Sequence, residues 1–169
     1  DPAKIIETCR LIEPVFGGIN LEDISAPRCF EIEDALQDLG IPVFHDDQHG
    51  TAIVLLAALI NSSKVIGKKL SEMQVVINGA GAAGTAIAKL IRGVGIPASD
   101  IEPVGDVILC DSKGAICAAR DDLNPSKQAM LDHTNTANRA GGVRDVLNGA
   151  DVFIGVSRGN IIGADDVKT

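Results

Sequence analysis

Tyrosine and tryptophan are absent from the 169 residues, and four phenylalanines bring the aromatic fraction to only 2%. A core built without large rings must be assembled from Ala, Val, Ile and Leu, which suits tightly packed βα units. Basic residues are also scarce: 15 Lys and Arg face 23 Asp and Glu, for a formal net charge of −8. Nucleic acid and anionic membrane surfaces both require a basic face, so neither is an expected partner. The four cysteines, Cys9, Cys29, Cys110 and Cys117, form no C-x-x-C pair. They read as buried reduced thiols of a cytoplasmic protein, with an organellar compartment left open. No signal peptide is visible, although a chain opening at Asp1 says little about targeting. The longest apolar run, within Thr51 to Ile66, is expected to be too short for a membrane span and to form a helix buried between layers.

What is present is 46% hydrophobic residues and 18 glycines, arranged in alternating helical and extended patterns. Pro2 to Ile12 places Ile5, Ile6, Cys9 and Ile12 on one face, with Asp1 as N-cap and Pro2 at the first helical position. Val15 to Leu21 reads as a strand. Pro27 to Leu39 repeats the helical pattern with Gly40 as its stop, and Ile41 to Phe44 reads as a second strand. The order helix, strand, helix, strand predicts a parallel sheet.

Met73 to Asn78 is a third predicted strand, followed by Gly79-Ala80-Gly81-Ala82-Ala83-Gly84 and a helical pattern from Thr85 to Arg92. A G-x-G-x-x-G run between a strand and a helix is the context in which this fingerprint signals a dinucleotide. Gly79 would make the tight turn, Gly81 would admit the pyrophosphate to the backbone, and Gly84 would permit close helix packing. The next predicted strand, Val107 to Cys110, ends at Asp111-Ser112-Lys113. Asp111 stands where an acid meets the adenosine ribose, although its distance from the glycines exceeds the usual spacing of about twenty residues. The surplus lies in 93–105, where Pro97, Ser99, Asp100 and Pro103 suggest an extended surface loop. The carboxylate favours NAD, whereas Ser112 and Lys113 could receive a 2′-phosphate, which leaves NADP open. Further along, Pro125 to Arg139 and Val143 to Leu147 are predicted helices, and Asp151 to Val156 a strand. The segment Ile161 to Thr169 looks like the start of another element. Three strands after Gly67 are fewer than a doubly wound dinucleotide domain usually has.

Two acidic pairs, Glu22-Asp23 and Asp46-Asp47, each follow a predicted strand. Ligands of open α/β sheets gather outside the carboxyl ends of strands, so these carboxylates could converge on one hard cation such as Mg²⁺ or Mn²⁺. Loop acids capping the following helices would explain either pair in isolation, but their recurrence at equivalent places upstream of a nucleotide site points to metal. His45 and His49 flank the second pair, but with one ending a strand and the other beginning the next element their rings need not share a face. Zinc is therefore the poorer fit.

Four segments together resemble one family: Phe16 to Ile24, Pro27 to Glu33, Pro42 to Ala52 and Gly79 to Gly84, with further similarity at Ala150 to Ser157. They are similar to the bacterial-type malic enzymes, which oxidise malate with NAD or NADP and decarboxylate it to pyruvate. The resemblance implies that Glu22, Asp23 and Asp47 are the ligands of a divalent metal. It implies that Asp46 supports the catalytic lysine, and that Gly79 to Gly84 with Asp111, Ser112 and Lys113 hold the cofactor. It further implies a malate substrate and a homo-oligomeric parent. The family's general-acid tyrosine has no counterpart in a chain without Tyr, and no lysine here stands in the context of its general base. The implied organisation is the end of a substrate and metal domain over 1–45, then a Rossmann-like NAD(P)-binding domain over 46–169 that stops early. A non-catalytic nucleotide-binding or regulatory module, and a dinucleotide domain of the amino-acid dehydrogenase type, are the alternatives. The second of these leaves both acidic pairs unexplained.

Overall fold

A computed structural model describes residues 1–97 and 100–168; Ser99 and Thr169, part of the expectations above, lie outside the described residues. The chain is α/β, with one small and one larger sheet. Helix α1, Pro2–Ile12, starts as expected, with the Asp1 carboxylate accepting from the Ala3 amide and Pro2 in the first turn. The following Glu13–Val15 forms a 3₁₀ turn rather than the start of a strand, and strand β1 is confined to Ile19–Leu21. Helix α2 covers Arg28–Leu36, so Gly40 is not its stop. Strand β2, Val43–His45, pairs parallel with β1, setting Leu21 opposite His45. Leu21, Ile32, Leu36 and Cys9 bury together between this pair of strands and the two helices.

After β2 the chain enters a five-residue π turn, Asp46–Gly50, which runs directly into helix α3, Thr51–Ile66. The combined helix has 21 residues and is long and apolar enough to cross a membrane by length and composition. This corrects the expectation of a helix too short to span and buried between layers. Only Ala52 and Leu59 are buried, while Ile53, Val54 and Val65 are 57%, 61% and 86% exposed. One narrow stripe of α3 packs on the domain beside it, and nothing among the described residues covers the rest.

The larger sheet has the order β5-β4-β3-β6, built from β3 Gln74–Asn78, β4 Asp106–Asp111, β5 Gly114–Ala115 and β6 Val152–Gly155. β3 pairs parallel with both β4 and β6, and only the short β5 is antiparallel. Helix α4, Ala82–Ile91, lies against one face with α3, sharing a core of Met73, Val75, Ile77, Ile87, Ile91 and Leu109. The other face is covered by the short α6, Val143–Leu147, through Val76, Ile108 and Val146. Near-continuous apolar strands are what a sheet covered on both faces requires.

The predicted helix from Pro125 to Arg139 is mostly not one. Helix α5 covers only Pro125–Ala129, a 3₁₀ turn covers Met130–Asp132, and Asn135 and Asn138 adopt left-handed backbone conformations. Asn tolerates that region, and here the buried Asn135 side chain bridges two turns, donating to the carbonyls of Ile116 and Arg139 and accepting from the Arg139 amide.

Candidate cofactor crevice and acidic cluster

The glycine run forms the turn from β3 into α4, with Gly81 as the N-cap residue. Gly79 has φ +129°, and a Cβ there would stand 2.8 Å from the Val156 carbonyl oxygen. A Cβ on Gly84 would collide with the Gly79 carbonyl, which explains why α4 can pack so closely on the turn. Around Gly81 there is nothing within 4 Å of a Cβ position. The turn thus has two glycines required by sterics and a third that leaves backbone open to an approaching group.

Beside this turn a crevice of about 440 Å³ opens at the carboxyl ends of β3, β4 and β6, lined by Asn78, Asp111, Ser112, Lys113, Ser157 and Arg158 among others. Strand ends on both sides of the first strand of a parallel sheet are where α/β folds receive ligands. A larger hollow of about 730 Å³ lies between the end of α3 and Ile96 and Ile101, away from both the glycine turn and the acidic pairs. The crevice is the better site because it gathers polar side chains at strand ends, whereas size alone selects nothing.

Asp111 is the hub of a charged network at the crevice edge. Its Oδ1 accepts from the Lys113 amide at 2.9 Å and Arg120 Nη1 at 2.8 Å, and its Oδ2 accepts from Arg120 Nη2 at 3.1 Å and Lys127 Nζ at 2.6 Å. Arg120 also binds Asp122 through Nε and Nη2, both at 2.8 Å, and Lys113 Nζ reaches Asp122 at 2.7 Å. Burial raises the Asp111 pKa, but the bonds from Arg120, Lys127 and the Lys113 amide outweigh it and hold the group at about 2. Asp122 is lowered by its bonds from Arg120 and Lys113. Next to the hub, burial pushes the Cys110 thiol up to about 12, so this cysteine is an apolar wall rather than a nucleophile.

The acidic pairs come together in part. The Asp23 amide donates to Asp47 Oδ2 at 2.9 Å, joining the ends of β1 and β2, and Asp23 holds a left-handed φ of 57° to do so. Hard carboxylate donors at this junction suit Mg²⁺ or Mn²⁺. Among the described residues, however, no three His, Cys, Asp or Glu side chains converge closely enough to hold a metal ion. Asp46 folds back over Gly50, where any Cβ would collide with its Oδ1. The π turn therefore aims Asp46 and Asp47 differently from an α-helical start, a device common at functional sites.

Sequence reasoning missed what secures that turn. Glu33, buried on α2, accepts from Gln48 Nε2 at 2.8 Å and meets His49 Nε2 in a very short contact. The signal was a glutamate among Cys29, Ile32 and Leu36 on the inward face of a helix, since Glu is seldom buried without a partner. His45 and His49 do not form a pair: His45 is fully buried in β2 with neither ring nitrogen bonded, while His49 turns to Glu33. Also unread in the sequence were Arg120, Lys127 and Arg158, which nothing short-range ties to Asp111.

Residues 48–167 match the family model described as malic enzyme, NAD binding domain. The chain is 52% identical over 159 residues to the bifunctional malic/malolactic enzyme of Bacillus subtilis, covering 93% of this chain and 37% of that protein. It is 50% identical to the NAD-dependent malic enzyme of Geobacillus stearothermophilus, over 99% of this chain and 34% of the relative. The NADP-dependent malic enzyme of Escherichia coli is 42% identical, with 99% and 21% covered. Among solved structures, the NAD-dependent malic enzyme of Thermotoga maritima superposes with a TM-score of 0.91 at 43% identity, covering 99% of this chain and 43% of that one. The chain thus spans between 21% and 43% of the length of these relatives, and the match removes the amino-acid dehydrogenase alternative. On its glycine turn, its strand-end crevice and these likenesses, the chain belongs to the malic enzyme family and carries that family's NAD-binding region.

Proposed function

We propose that this chain is a segment of a longer polypeptide that oxidises malate with NAD or NADP and decarboxylates it to pyruvate. The observation that carries the reading is the joining of the two acidic strand ends, through the Asp23 amide and Asp47 Oδ2, on a chain that continues through α3 into a dinucleotide turn. In this reading residues 1–45 end the substrate and metal domain, and 46–169 begin the cofactor domain. Gly79 to Gly84 admit the pyrophosphate, with Asp111, Ser112 and Lys113 at the adenosine end. Glu22, Asp23 and Asp47 would hold a divalent cation, and Asp46, braced by the π turn, would orient a lysine supplied from outside this chain. A divalent cation held by these carboxylates would supply positive charge for the developing oxyanion of malate.

In this reading the general-acid tyrosine comes from elsewhere in the parent, since this chain has none, and so does the general-base lysine, since no lysine here stands in the context the family's base requires. The parent is expected to be a homo-oligomer in the cytoplasm. The test is malate-dependent reduction of NAD or NADP by the full-length protein with Mg²⁺ or Mn²⁺. Activity should disappear on chelation, and Asp47→Asn should lower it at least a hundredfold; metal-independent turnover would contradict the metal assignment. A non-catalytic nucleotide-binding module is the second reading. It is favoured by the lack of three convergent ligands among the described residues, and inactivity of the full-length protein would support it.

A further inference from the structure

We propose that Glu33 is a positioning residue for the acidic junction: through Gln48 and His49 it fixes the rotation of the π turn, and so the aim of the Asp46 and Asp47 carboxylates; this rests on the metal reading above. Glu33 is 9% exposed, and its two oxygens meet the side chains of two consecutive residues. Its Oε2 accepts from Gln48 Nε2 at 2.8 Å, while its Oε1 meets His49 Nε2. Two bonds to neighbouring residues define the orientation of a turn, where one bond would leave it free to swivel. Asp46 and Asp47 immediately precede that pair in the same five-residue turn.

Glu33, Gln48 and His49 line a hollow of about 500 Å³ that opens between α2, α3 and α4, so these bonds, rather than close packing, tie the turn to α2. The His49 ring also leans on Phe44 of β2, with centroids 5.7 Å apart, which links the tie back to the strand that delivers Asp46. Across the junction the Asp23 amide holds Asp47 Oδ2, but that bond sets neither the second oxygen of Asp47 nor the direction of Asp46. For stability alone, an apolar side chain of similar volume often serves as well as a buried charge. What Glu33 adds is direction, because hydrogen bonds depend on angle and apolar contacts do not. Direction matters at a site for Mg²⁺ or Mn²⁺, where oxygens must meet the cation in a narrow geometry. Groups that orient metal-bound side chains typically change metal affinity about 10- to 100-fold when removed.

The experiment uses the full-length protein and two readouts that do not depend on turnover: Mn²⁺ binding followed by electron paramagnetic resonance, and NADH binding by fluorescence titration. Glu33→Leu removes both acceptors at similar volume; it should weaken Mn²⁺ binding about tenfold or more and leave NADH affinity within about twofold, because the glycine turn is untouched. Glu33→Gln keeps an acceptor for Gln48 and a donor for a neutral His49 ring, and should hold Mn²⁺ within about threefold of wild type. His49→Leu, at a side chain 46% exposed, removes one of the two bonds. It should weaken Mn²⁺ binding by a smaller factor than Glu33→Leu, and serves if that variant does not fold. Unchanged Mn²⁺ affinity in these folded leucine variants, equal losses of Mn²⁺ and NADH binding, or a Glu33→Gln as weak as Glu33→Leu would each overturn the proposal. A wild type that binds NADH but no Mn²⁺ would overturn the metal reading and this one with it.

Discussion

At the scale of single residues, Asp111 shows how a short motif and its surroundings together build one charged network. Its position after a strand was legible because a strand-terminal acid commonly follows the glycine turn in NAD-binding folds. Its partners were not, since Arg120 and Lys127 arrive from a loop and a helix whose path depends on the left-handed Asn135 and Asn138. The pairing also has a consequence for stability. The folded pKa of Asp111, about 2, lies below its ordinary 3.8, so the network stabilises the chain fully above about pH 4, and this is lost as pH falls towards 2. Urea unfolding of Asp111→Asn at pH 7 should show a loss of about 2 kcal/mol relative to wild type, and the difference should shrink steadily between pH 5 and pH 2.5. A difference independent of pH would show that the carboxylate charge is not what matters.

Among elements, α3 separates what a hydropathy pattern reveals from what it conceals. Its limits, Thr51–Ile66, were legible from the apolar run and from Gly67, which ends it in a left-handed conformation. Its burial was not, because an apolar helix is equally consistent with a partner on every side and with partners outside the segment in hand. Two substitutions distinguish its faces. Leu59→Ala, in the core shared with α4, should cost about 2–5 kcal/mol in the purified chain, whereas Val54→Ala on the exposed side should cost under about 0.5 kcal/mol. Comparable losses at both sites in chemical denaturation would mean that Val54 is covered after all. The π turn before α3 belongs to the same lesson. Asp46-Asp47 was readable as an acidic pair, but its geometry depends on Glu33 from α2 and on the missing side chain of Gly50, contacts that no local pattern encodes.

For the whole molecule, the sheet order β5-β4-β3-β6 and the two-stranded β1-β2 unit give a cofactor crevice and an acidic junction linked by one helix. The glycine turn is complete within these residues, whereas the acidic junction joins only Asp23 and Asp47. Exposed Leu11, Val15, Phe16, Ile53 and Val54 leave broad apolar surface near that junction's elements, consistent with a chain that spans a third or so of its relatives' length. General acid and base catalysis commonly contributes about a hundred- to ten-thousandfold in rate, and holding substrate and nicotinamide in one geometry contributes more. Dinucleotide binding and malate turnover are therefore separable properties. The most direct test assays this chain and the full-length protein side by side, with malate, NAD or NADP, and Mg²⁺ or Mn²⁺, following reduced cofactor at 340 nm. The full-length protein should turn over, and the isolated chain should bind reduced dinucleotide yet produce none above background. Substantial malate-dependent reduction by the isolated chain would contradict the account, because these residues would then contain an acid and a base that the proposal places elsewhere.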